Sequence, residues 1–166
     1  MTDRRPVVLV GVDGSPAGDA ALRHAVAEAR RRGGRVVAMA VGDAPVLGAL
    51  DVESMPVNPE AVRQTVAREA RQHTDEVLAG MEGGAGVPVE VRARLGRPTW
   101  LLVHAARDAD LLVVGHRGRG PLAAALLGSV ALRCVLHAPC PVTVVRPVPA
   151  AEEPVPAARA STVAAP

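Results

Sequence analysis

Five short apolar runs divide this chain, and helix-periodic segments fill the gaps between them. Residues 6–12 (PVVLVGV), 35–41 (RVVAMAV), 110–115 (DLLVVG) and 141–146 (PVTVVR) are nearly continuous in apolar character, as strands buried on both faces are. Residues 87–95 (VPVEVRARL) instead alternate Val89 and Val91 with Glu90, Arg92 and Arg94, the pattern of a half-exposed or edge strand. Ser15 and Pro16 supply a cap and a first-turn proline for a helix over 16–32, with Leu22, Ala25, Val26 and Ala29 on one face. Gly33 and Gly34 are its stop. Asn58-Pro59-Glu60 opens a second helix, whose apolar spacing runs to Met81. Shorter helices are expected over 99–107 and 129–137. This order predicts an α/β fold: an open, doubly wound sheet of five parallel strands, helices on both faces and right-handed crossovers. Residues 42–57 read as a loop or lid. Residues 1–146 form the expected domain, and 147–166, rich in Pro and Ala, an expected disordered tail.

Composition narrows the chemistry. All 19 basic residues are Arg. A P-loop, a protein-kinase site and Schiff-base catalysis each need a lysine, so all three are excluded. Trp100 is the single aromatic residue, so the core is made of Val, Leu and Ala, and Trp100 is expected to anchor its short helix hydrophobically. Without aromatics to stack on bases, and with a net charge of only +2 spread over interspersed Arg, Asp and Glu, nucleic-acid binding is not expected. Arg30, Arg31 and Arg32 suit the end of a helix. Residues 1–6 are short and polar, and no apolar run nears the about 20 residues that span a bilayer. The expected compartment is the cytoplasm, with Cys134 and Cys140 reduced. His24, His73, His104 and His137 show no metal-ligand spacing.

Sheets of this class bind ligands beyond the carboxyl ends of their strands. Those ends here are Asp13, Val41 and residues 115–118. After strand four, Gly115-x2-Gly118 is followed nine residues on by Gly128-Ser129. The helix that begins there offers unpaired amides and a positive dipole end, a seat for phosphate. Gly115 and Gly118 let backbone approach an anion and take positive φ. Ser129 is expected to cap its helix and donate to phosphate, and Arg117 and Arg119 to bring compensating charge. Asp13 has two readings of equal weight: a ribose ligand, or a cap for the turn that follows it. His116 is a phosphate contact or a solvated loop residue.

These motifs resemble those of universal stress proteins. The glycine array is similar to the family's ATP-binding signature. Val10-Gly11-Val12-Asp13-Gly14-Ser15 resembles its opening, 109–115 its fourth strand and 135–142 its final helix-to-strand turn. The resemblance implies a Rossmann-like sheet of the adenine nucleotide alpha hydrolase type, ordered 3-2-1-4-5, and usually a homodimer, here through the edge strand at 142–146. It implies ATP, with Mg, as ligand. Asp13 with its neighbour Val12 would hold ribose or adenine, and the Val41 backbone would meet adenine. Gly115, Gly118, Gly128, Ser129 and Val130 would cradle phosphate, with Arg117 beside them. The implied function is that of an ATP-binding regulatory module in stress. A slow ATPase and a nucleotide-free dimeric interaction protein stand as alternatives.

Overall fold

The computed structural model describes residues 4–42, 58–83, 86–118 and 127–147. The elements follow in the expected alternation. They are β1 (Val7–Val12), α1 (Pro16–Arg31), β2 (Arg35–Gly42), α2 (Pro59–Ala79), β3 (Val89–Leu95), α3 (Pro98–Ala105), β4 (Leu111–Gly115), α4 (Ser129–His137) and β5 (Val142–Val145). A 3-10 turn at Ala106–Asp108 joins α3 to β4. All strands are parallel, in the order β3-β2-β1-β4-β5. Of the loop expected at 42–57, Gly42 closes β2, and 43–57 lie outside the described residues, as does the tail from residue 148.

Local chemistry accounts for the helix ends. The Ser15 Oγ accepts from the Gly18 N–H at 3.1 Å and caps α1. At its far end Gly33 takes φ +62°, and the Gly34 N–H returns to the Ala29 carbonyl, closing the helix as a left-handed residue allows. Arg31 and Arg32 both reach Glu28, which holds the Glu28 carboxyl below its ordinary range. Asn58 caps α2. That helix stops at Ala79 rather than Met81, with Gly80 as its cap.

Period-two alternation divides the strand side chains between two cores. Val8, Val10, Val36 and Ala38 pack on Leu22, Ala25 and Val26 of α1 and Val77 of α2. On the other face Leu9, Val37, Met39, Leu112 and Val114 pack on Leu102 of α3 and on Ala131 and Cys134 of α4. Cys134 is fully buried, and burial pushes its thiol up to about 11. It is therefore a protonated packing residue at neutral pH. Trp100 departs from expectation. Leu102 and Ala106 are the inward residues of their turn, and two positions before Leu102 is the opposite side of a helix. Trp100 is 63% exposed and stacks on His104, with ring centroids 5.1 Å apart.

Candidate functional site

Because every strand is parallel, the ends of β1, β2 and β4 and the starts of α3 and α4 meet at one rim of the sheet. A cleft opens there. Val12 and Asp13 line it from the end of β1, and Val41 and Met39 from β2. Gly115, Arg117 and Gly118 follow β4 into it, and Gly128, Val130 and Ala131 enter from the start of α4. Pro98, Leu102 and Val114 add an apolar wall. Eight of the nine site residues expected from sequence thus line one cavity. Ser129 does not: it faces a separate groove between α3 and α4. Arg119 lies outside the described residues.

Of its two expected roles, Asp13 takes that of a cap for the turn that follows it. Its Oδ1 accepts from the Ser15 N–H at 3.0 Å and the Ser15 hydroxyl at 2.6 Å, fixing the turn into α1. Its Oδ2 points at Gly118, where an added Cβ would come within 2.5 Å. Gly18 clears the other oxygen in the same way, at 2.6 Å from Oδ1. Gly18 was not singled out from sequence. The available signal was a glycine in the first turn of a helix, where alanine is the stronger helix former.

Gly115, Gly118 and Gly128 serve close packing rather than unusual dihedrals. Positive φ occurs at Gly14, Gly33, Gly83 and Gly96, and not at Gly115, Gly118 or Gly128. A Cβ on Gly115 would sit 2.8 Å from the Ala17 backbone of α1. One on Gly128 would sit 3.2 Å from the His116 carbonyl and 3.3 Å from the Arg117 Cα.

The start of α4 also differs in detail. Gly128, not Ser129, is its N-cap, and no side chain caps the helix. Both residue types are common caps, so composition alone could not place the boundary. The Gly128 N–H donates to the His116 carbonyl at 2.8 Å, and the first intrahelical bond runs from Leu132 to Gly128. The amides of Ser129, Val130 and Ala131 are those that helix geometry leaves without intrahelical partners. His116 acts here through its backbone, its own N–H donating to the Val145 carbonyl at 2.7 Å. Its side chain does not line the cleft. Desolvation, then Arg117 and Arg146, lowers its pKa, which disfavours a charged phosphate contact.

A second hollow adjoins the cleft across Asp13 and Val41, with Val66, Glu69 and His73 of α2 on its far side. His73 Nε2 lies 2.6 Å from Asp19 Oδ1 and ties α2 to α1. Among the described residues no group of three or more His, Cys, Asp or Glu could hold a metal ion. Among them, too, no helix is long and apolar enough to cross a membrane.

The sequence profile of the universal stress protein family matches residues 5–146. The chain belongs to that family. A universal stress protein of Mycolicibacterium smegmatis is 37% identical over 149 residues, which cover 87% of this chain and 47% of that protein. This chain therefore spans about half the length of that relative. A second universal stress protein of the same organism is 35% identical and is covered over 98% of its length, against 85% of this chain. Among solved structures, a universal stress protein in complex with cAMP superposes with a TM-score of 0.59 at 25% identity. The match covers 88% of this chain and all of that one.

Proposed function

We propose that this universal stress protein domain binds ATP in the rim cleft and acts as a regulatory module under stress in the cytoplasm. The observation that carries the reading is the meeting, in one cavity, of the Asp13 carboxylate, Gly118 and the amino end of α4. Adenine lies between Val41 and the apolar wall of Met39, Pro98 and Leu102. Ribose hydroxyls donate to Asp13 Oδ2. The phosphates sit over Gly118 and the free amides at the start of α4, where the helix dipole favours negative charge, with Arg117 at the edge. Mg2+ arrives with the phosphates. The cAMP complex of a structural neighbour supports an adenine nucleotide as the ligand class. The domain pairs with a second copy through the edge of β5.

Melting the purified full chain with and without Mg-ATP tests this reading. A ligand that binds only the native state adds about 2.7 kcal/mol at a hundredfold excess over its dissociation constant. Mass spectrometry of small molecules released on denaturation then identifies the resident nucleotide. An unchanged melting temperature at millimolar ATP, together with no released nucleotide, would overturn the proposal.

A further inference from the structure

The single aromatic side chain of the chain stands in water. Trp100 is 63% exposed, although hydrophobic contact is what such a residue offers. It lies on the groove between α3 and α4, with Pro98 and Val103 on its own helix and Val130 opposite. Arg97 and Arg133 line the same groove. Both are exposed, and among the described residues neither forms an ion pair. An aromatic ring flanked by two guanidinium groups suits an extended segment that carries proline for the ring and carboxylate for the cations.

The sequence beyond β5 has that composition. It reads Pro147-Val148-Pro149-Ala150-Ala151-Glu152-Glu153-Pro154-Val155-Pro156, and the adjacent glutamates are the only acidic residues after Arg146. Proline spacing of this kind favours the polyproline II form, which aromatic-lined grooves recognise. We propose that the groove beside Trp100 is the docking site for residues 147–156 of this same chain, with Glu152 and Glu153 between Arg97 and Arg133 and the following prolines on the indole.

Topology brings the segment to the place. β5 ends at the rim where α3 and α4 begin, since the sheet is parallel throughout. Only α4 separates that end from the groove, a width of about 10 Å. Five residues of polyproline II chain span about 15 Å, which carries the chain from Pro147 to Glu152. Pro98 and Val130 line both the groove and the nucleotide cleft, so a docked segment rests against two residues of the cleft wall.

Trp100 reports the test directly, because the chain has no other Trp and no Tyr. Acrylamide quenching of its emission is compared in the full chain and in three full-length charge-swap variants. Glu152→Arg with Glu153→Arg raises quenching and shifts the emission to the red. Arg97→Glu with Arg133→Glu does the same. Combining all four substitutions restores the wild-type values. Far-UV circular dichroism confirms that each variant is folded. Equal quenching in all four proteins overturns the proposal. So does quenching that falls with protein concentration and ignores the swaps, which assigns the groove to a second copy.

Discussion

Gly115, Gly118 and Gly128 show how one residue type answers three local demands. Gly115 makes room for the backbone of α1, Gly118 for the Asp13 carboxylate, and Gly128 for the chain at His116 and Arg117. A sequence displays a glycine but not whether freedom or space is required, so the expected positive φ was the wrong one of two available reasons. The positions themselves were legible, because spacing identifies them. Gly115→Ala drives a methyl into backbone that cannot rotate away. The expected cost is about 1–3 kcal/mol of stability, read from urea unfolding. Trp100 was misplaced for a related reason: a helix of eight residues is too short for its apolar stripe to be told from its exposed side.

At the level of elements, the clearest joint is between the starts of β1 and β4. The Asp110 Oδ2 accepts from the Val7 N–H at 2.7 Å, Arg4 Nη2 stands 3.2 Å away, and the Asp110 N–H returns to the Val7 carbonyl. The Val7 N–H first, and then Arg4, hold the Asp110 carboxyl below its ordinary range. The folded chain therefore binds this proton less readily than the unfolded one. Its contribution is present above the unfolded pKa of about 3.9 and is lost as pH falls through the lower, folded value. Asp110→Ala costs about 1 kcal/mol at neutral pH, and the gap from the wild type closes as the pH falls. Urea unfolding at pH 7 and in acid checks both statements. The elements were legible because each strand is a contiguous apolar run and each long helix carries its own caps. Their ends shifted by one or two residues where several residues could serve, as at Gly80.

Across the whole molecule, the two edges of the sheet are unlike. β3 presents Glu90, Arg92 and Arg94, and Arg92 and Arg35 hold the Glu90 carboxyl below its usual range. Such an edge resists pairing. β5 carries no charge within Val142–Val145, and Leu132, Val135 and Leu136 of the neighbouring α4 are exposed. Leu112 of β4 and His116 just beyond it donate to the carbonyls of Pro141 and Val145, so by period two the backbone of Val142 and Val144 faces outward. Val144→Pro removes an outward N–H and spares the ladder to β4. If two copies pair there, sedimentation shows the variant as a monomer beside a dimeric wild type. A variant that remains dimeric would move the interface elsewhere. What sequence could not supply at this scale was the wall of the cleft. Met39, Leu102 and Val114 read as ordinary core residues, and only the parallel topology brings them to one rim with Asp13.

Calorimetric titration of ATP into the wild type and Gly118→Ala tests that meeting of Asp13 and the α4 amino end most directly. The added methyl falls 2.5 Å from Asp13 Oδ2 and displaces the carboxylate. The account predicts saturable binding to the wild type and at least about tenfold weaker binding to the variant, or 1.4 kcal/mol, with far-UV circular dichroism showing the variant folded. A wild type that gives no binding heat at millimolar ATP, or a variant that binds as tightly as the wild type, would contradict it.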